Sequence, residues 1–271
     1  MTSSLLPNSK VQLNYASLEL LCNKSFSAEV FGWLDAEERI RFDRFVCKQQ
    51  AHQFLLARAL LRSQLSKRVP TILPREWVFS IDEYGKPRLA DEFTYLNLHF
   101  NLSHSEGLVV LALGEGVNLG IDVECTHRPV FSMALAKRYF SESELADLMR
   151  LTEQSQIKHI AQLWTLKESY LKTNGLGVRV PLTKLEFYFK GGDGLEVGIS
   201  SAWVKPLPAK ERSYIGLFNV LCLGVEYSLA LTVEFNKKND VSVVAVDEWT
   251  GLDNQLVGLQ CELLRKNELK A

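Results

Sequence analysis

The alternation of apolar and polar positions along this chain changes period several times, and each change marks an element. Residues 11–22 read as short strand material. Asp35 is placed as the N-cap of a helix opening on Ala36-Glu37-Glu38-Arg39, in which Ile40, Phe42 and Phe45 are loosely spaced. A second helix, about 49–67, carries Phe54, Leu55, Ala59, Leu61 and Leu65 and ends before Pro70. Residues 77–81 read as a strand, and 83–87 as a turn with Gly85 where a positive φ is needed. Three more strands follow at 96–102, 108–113 and 117–123, the last two joined by the tight Gly114-Glu115-Gly116 turn.

After Pro129 the period turns helical, over 133–139, 141–151 and 155–173. Ser141 and Glu144 make a capping-box pattern, and Asn174-Gly175 stops the longest helix. Strands resume at 185–189, 214–221, 227–234 and 241–246, with Gly191-Gly192-Asp193-Gly194 as a hairpin turn. Leu256, Leu259 and Leu263 suggest one more amphipathic helix at the end. The order predicts an α+β chain of two halves, 1–116 and 117–271, without a sequence repeat between them.

Composition changes this picture little. At 271 residues the chain can form one large domain or two small ones. Lys plus Arg number 31 against 32 Asp plus Glu, which argues against a nucleic-acid partner held by bulk charge. Cys22, Cys47, Cys125, Cys222 and Cys261 are scattered, without zinc spacing or a disulfide framework, and fit a reducing cytoplasm. The start of the chain has no charged, apolar leader pattern, and no apolar run reaches about 18 residues. A soluble cytoplasmic protein without a membrane partner is expected.

The chemistry concentrates in three segments. In Gly120-Ile121-Asp122-Val123-Glu124 a strand would turn Asp122 and Glu124 to one side and Ile121 and Val123 into the core. Two carboxylates so placed repel, and a hard divalent cation such as Mg2+ relieves that. In Trp164-Thr165-Leu166-Lys167-Glu168-Ser169-Tyr170-Leu171-Lys172, residues 164, 168 and 172 drift only about 40° per step around a helix and share a face. Alone, the first pattern is the solvent face of an antiparallel sheet and Glu168–Lys172 an ordinary helix ion pair. What adds weight is the third segment, Phe100-Asn101-Leu102-Ser103-His104-Ser105.

Taken in order, Asn101-Leu102-Ser103-His104, Gly120 to Glu124, and Trp164 to Ser169 with Lys172 resemble the motifs of the 4'-phosphopantetheinyl transferases. The size and Tyr84-Gly85-Lys86-Pro87 resemble the larger, surfactin-synthetase type rather than the short trimeric one. The resemblance runs from about Trp33 to about Phe189. It implies a pseudo-dimer of two similar α/β halves with the active site in the cleft between them, and a monomeric enzyme. The implied reaction moves the phosphopantetheine arm of coenzyme A to a serine of an apo carrier protein and releases 3',5'-ADP.

The resemblance also assigns roles. Asp122, Glu124 and Glu168 become Mg2+ ligands, and Lys172 neutralises pyrophosphate charge. Ser103 and His104 hold the 3'-phosphate, Lys86 and Pro87 pass the nucleotide, and Arg41 offers a cation to the 3'-phosphate. Glu38 departs from a basic position of the family pattern, which puts the phosphate clamp in question. Glu168 or a metal-held water can serve as base. Trp164 is expected as a core aromatic. A metal-dependent phosphohydrolase of coenzyme A or a nucleotide, or a non-catalytic carrier-binding protein, are the competing readings, and the carrier itself is left open.

Overall fold

The computed structural model describes residues 9–83, 85–175, 181–189, 195–199, 211–236, 241–248 and 259–270. The elements are β1 (Ser9–Ser17), α1 (Lys24–Gly32), α2 (Ala36–Asp43), α3 (Lys48–Arg68), β2 (Phe79–Ile81), β3 (Pro87–Leu89), β4 (Leu98–Ser105), β5 (Leu108–Glu115) and β6 (Asn118–Cys125). They continue with α4 (Met133–Tyr139), α5 (Glu142–Leu148), α6 (Glu153–Asn174), β7 (Leu185–Phe189), β8 (Leu195–Ile199), β9 (Glu211–Cys222), β10 (Val225–Asn236), β11 (Val241–Glu248) and β12 (Leu259–Lys270).

Two four-stranded sheets carry the architecture, in the orders β11-β1-β5-β4 and β12-β9-β10-β6. Every pairing in them is antiparallel except β1 with β11. β5 has an almost unbroken apolar run because both its faces are covered. Leu108 and Val110 join Leu13, Ile121, Val123 and Leu231 in a core between the sheets. Val109, Leu111 and Leu113 face the other way, onto Leu56 and Leu60 of α3. The second sheet repeats the plan, with Leu217 and Ala230 packed against Leu166 and Tyr170 of α6. Each half is thus a sheet with one long helix outside it, and the order of layers is helix, sheet, sheet, helix. This is the mixed two-half architecture that the sequence predicts.

Capping anticipated from sequence is present at both places: Asp35 with Glu38 opens α2, and Ser141 with Glu144 opens α5. Four details differ. Residues 18–22 form a 3-10 turn capped by Ser17, and α1 follows with only Phe26 and Val30 buried, too few to set a period. β3 and β8, short partners of β2 and β7, were not foreseen. The expected terminal helix is instead a strand, β12, paired antiparallel with β9. Leu259 and Leu263 lie four apart, which suits a strand's period of two as well as a helix, and an open β9 edge decides between them. Leu256, Tyr84 and the 191–194 turn lie outside the described residues. Among the described residues no helix is long and apolar enough to cross a membrane. Cys22, Cys47 and Cys125 are free thiols.

One close approach sets the site. A Cβ at Gly120 would stand 1.9 Å from the Ser169 carbonyl oxygen and 2.3 Å from Thr173 Oγ1. Only glycine lets α6 lie this near β6, and the approach brings Glu168 and Lys172 over Asp122. α6 is fixed from the other side by a buried ion pair. Lys167 Nζ stands 2.9 Å from Glu144 Oε2 with both side chains at most 1% exposed, and it donates to the carbonyls of Leu182 and Leu185. Glu144 in turn accepts from the backbone N–H groups of Ser141 and Phe187. Lys167 and Glu168, adjacent in sequence, therefore face opposite tasks, one locking the helix and the other reaching the cavity.

Candidate active site

The two sheets meet along β4 and β6, each the edge strand of its own sheet. Side chains of β4 take the place of a backbone ladder there. Asn101 Oδ1 accepts Ile121 N–H at 2.9 Å, Ser103 Oγ accepts Val123 N–H at 3.4 Å, and Ser105 Oγ accepts Cys125 N–H at 3.1 Å. Asp122 and Glu124 project from the β6 face that α6 covers. Ser103, His104, Asp122, Glu124, Glu168 and Lys172 all line one cavity of about 350 Å³. Trp164, expected in the core, is half-buried in the same wall and stacks edge-on against Tyr139 at 5.5 Å.

Asp122 is 4% exposed. Its Oδ1 receives Lys172 Nζ at 2.6 Å and Ser103 Oγ at 2.8 Å, while its Oδ2 is buried with no hydrogen-bond partner among the described residues. Lys172 Nζ also donates to Ser103 Oγ at 3.1 Å. Glu124 Oε2 accepts Ser105 Oγ at 2.9 Å and Arg128 Nη1 at 2.5 Å. Burial, then the charge of Asp122, push the Glu124 carboxyl above its ordinary value, against the pull of Arg128 and Ser105. Glu168 is raised by burial first, then by Asp122 and Glu124, with Lys172 opposing. Sequence reasoning missed Ser105 and Arg128. The first repeats the two-residue spacing of Ser103 on a strand, and the second follows Glu124 by four, so both signals are visible only once the strands are paired.

Among the described residues no three acidic, histidine or cysteine side chains stand close enough, as placed, to share one ion. The chemistry of the donors nevertheless fits a hard divalent cation. They are all oxygens, the charge of Asp122 raises the proton affinity of Glu124 and Glu168, and the buried Asp122 Oδ2 lacks, among the described residues, the partner that such an atom ordinarily has.

Glu168 forms no hydrogen bond or ion pair among the described residues, so its removal should relieve the metal-free protein. Its folded-state pKa lies above the unfolded value, so the folded chain binds the extra proton, and stability falls as pH rises through that window. Glu168→Gln is expected to raise the melting temperature by a few degrees at neutral pH and to flatten the gain on mild acidification. Thermal melts at the two pH values check this; a lower melting temperature in the variant at neutral pH would contradict it.

The remaining predicted residues stand elsewhere. Arg41 lies over the Phe54 ring at 5.1 Å and lines a separate cavity of about 270 Å³. Glu38, the departure from the family pattern, is buried there and neutralised: Arg58 Nε is 3.0 Å from its Oε1 and Arg62 Nη2 is 2.5 Å from its Oε2. Lys86 and Pro87 line a third cavity, of about 340 Å³. The Lys86 ammonium donates to the carbonyls of Leu119, Lys172 and Thr173 at 2.9, 2.8 and 3.3 Å. Burial lowers its pKa to about 8, which still leaves it charged at neutral pH. It thereby closes the C-terminal end of α6, where unpaired carbonyls and the helix dipole favour a cation. His104 reaches solvent at the cavity mouth, and burial of its inner side, then Lys172, hold its imidazole pKa below the ordinary range.

Sequence similarity to known proteins runs through both parts of the chain. Residues 118–212 match the family model described as the 4'-phosphopantetheinyl transferase superfamily, and residues 23–115 match the one described as 4'-phosphopantetheinyl transferase, N-terminal. The 4'-phosphopantetheinyl transferase HetI of a Nostoc species is 33% identical over 171 residues, 63% of this chain and 71% of that protein. This chain belongs to the 4'-phosphopantetheinyl transferase family. The 4'-phosphopantetheinyl transferase Sfp of Bacillus subtilis is 37% identical over 150 residues, and the match spans 55% of this chain and 64% of Sfp. The mouse L-aminoadipate-semialdehyde dehydrogenase-phosphopantetheinyl transferase is 28% identical over 163 residues, 57% of this chain and 52% of that protein. Family membership thus covers both the β4 segment with Ser103 and His104 and the β6–α6 segment with the three carboxylates.

Proposed function

We propose that this member of the family transfers the 4'-phosphopantetheine arm of coenzyme A to a serine of an apo carrier protein and releases 3',5'-ADP. The observation that carries the reading is the convergence of Asp122, Glu124, Glu168 and Lys172 on one cavity beside the β4–β6 seam, under α6. In this reading the halves 1–116 and 117–271 act as one monomeric cytoplasmic enzyme, the second lending β11 to the sheet of the first beside β1.

Asp122, Glu124 and Glu168 would hold Mg2+. When bound, that ion supplies neutralisation of the pyrophosphate oxygens, which otherwise repel an incoming nucleophile. The serine hydroxyl forms the new O–P bond at the β-phosphorus, and the bond to the oxygen bridging the two phosphates breaks, its electrons leaving with 3',5'-ADP. Glu168, which has no hydrogen-bond partner among the described residues, takes the hydroxyl proton. Lys172, a flexible point cation, moves its charge from Asp122 toward the oxygens that become more negative as the bond breaks. His104, at the cavity mouth, takes the 3'-phosphate, with Arg41 as the cation on the nucleotide side and Lys86 with Pro87 alongside the base. Product analysis tests the reaction class. Coenzyme A consumed only when an apo carrier is present supports transfer; free 4'-phosphopantetheine formed without a carrier identifies a hydrolase instead.

A charge-assisted hydrogen bond contributes about 1.5–3 kcal/mol. His104→Ala should therefore weaken use of coenzyme A roughly ten- to hundredfold and leave 3'-dephospho-coenzyme A almost unaffected. Because the imidazole pKa is held low, its protonated form grows as pH falls, and the difference between the two substrates should widen on acidification. Parallel kinetics with both substrates decide it; an equal loss would make His104 a structural residue or a base.

A further inference from the structure

Two hydroxyls stand between the sheets, and their bonding leaves each only one direction in which to donate. A serine hydroxyl has one proton and two acceptor lone pairs. Ser105 Oγ accepts Cys125 N–H, and its proton goes to Glu124 Oε2 at 2.9 Å. Ser103 Oγ accepts Val123 N–H and the Lys172 ammonium, and its proton goes to Asp122 Oδ1 at 2.8 Å. Both serines are buried, at 4% and 7% exposure. In each case the acceptor side is occupied by the backbone N–H that follows the carboxylate-bearing residue, so the strand itself aims the hydroxyl. Asn101 makes the same stitch, to Ile121 N–H, and that bond involves no carboxylate.

We propose that Ser105 is a positioning residue for the metal centre, fixing Glu124 as a ligand aimed into the cavity. This rests on the metal role proposed above for Glu124. Ser103 does the same for Asp122, in addition to any contact with substrate. The bond to Ser105 holds Glu124 Oε2 against the seam. It also leaves Glu124 Oε1 for the ion, since both of this carboxylate's bonds fall on Oε2. Arg128, the other partner of Glu124, has a 37% exposed side chain on a loop and can swing clear, whereas Ser105 is anchored in a strand between two sheets. The seam between the halves and the geometry of the ligands are therefore set by the same atoms.

The test is Mn2+ binding, followed by electron paramagnetic resonance on the full chain with coenzyme A present, alongside thermal melts. Partners that orient metal ligands typically contribute about 10–100-fold to affinity. Ser105→Ala should lose at least about tenfold, and Ser105→Thr, which keeps the hydroxyl, should recover most of it. Asn101→Ala also cuts one stitch, so it should lower the melting temperature as much as Ser105→Ala while leaving Mn2+ affinity intact. Wild-type affinity in Ser105→Ala, or an equal loss in Asn101→Ala, would overturn the assignment and leave Ser105 a seam residue only. A wild-type chain that binds no Mn2+ would instead refute the metal reading, and this assignment with it.

Discussion

Asp122→Ala should abolish phosphopantetheine transfer while the chain still folds. Asp122 is the most buried of the three carboxylates in the cavity. Its Oδ1 holds both Lys172 and Ser103, and its Oδ2 has no hydrogen-bond partner among the described residues. Removing it takes away a ligand and releases Lys172 from the position that aims it at the pyrophosphate. Interactions made in the transition state are lost, so turnover should fall by orders of magnitude rather than binding alone weakening. From the sequence, relief of repulsion between Asp122 and Glu124 suggests a more stable variant. The structure changes that expectation, because Asp122 is already paired with a cation whose side chain is 31% exposed. Loss of the pair and loss of the repulsion should largely cancel, for a net change within about 1 kcal/mol. Single-turnover transfer and denaturant titration check both parts. Substantial transfer by Asp122→Ala at saturating Mg2+ would remove the residue from the centre.

Glu144→Ala should cause the largest loss of stability, about 3–5 kcal/mol. It strands the Lys167 ammonium in a site with no exposed side-chain surface and leaves the N–H groups of Ser141 and Phe187 without their acceptor. An uncompensated buried charge costs far more than the intact pair contributes. The double variant Glu144→Gln with Lys167→Met removes both charges and keeps much of the volume, so it should be markedly more stable than Glu144→Ala. Urea midpoints for the two variants decide the matter. A loss below about 1 kcal/mol in Glu144→Ala would mean that α6 is not held by this network.

The carboxylate cavity was legible in the sequence because its members obey local periods. Asp122 and Glu124 alternate on one strand, Glu168 and Lys172 share one helix face, and the structure brings all four to one cavity. What was not legible depends on contacts distant in sequence. The partnership of Ser105 with Glu124 requires two edge strands to meet in register, and nothing in either strand alone encodes that. Lys86 reads as a turn lysine, yet its ammonium caps a helix that ends some eighty residues later. Glu38 looks like a missing cation until Arg58 and Arg62 from the next helix surround it. β12 failed for a different reason: a four-residue repeat of leucines satisfies both a strand and a helix, and the open edge of β9 is a tertiary fact.

The intact mass of an apo carrier protein, after incubation with this chain, coenzyme A and Mg2+, tests the central claim most directly. A panel of carriers from different pathways should include at least one that gains a single phosphopantetheine arm, with 3',5'-ADP formed in equal amount. The gain should vanish when the metal is chelated and return when Mg2+ is restored in excess. Unmodified carriers throughout the panel, with coenzyme A intact or cleaved to free phosphopantetheine, would contradict it.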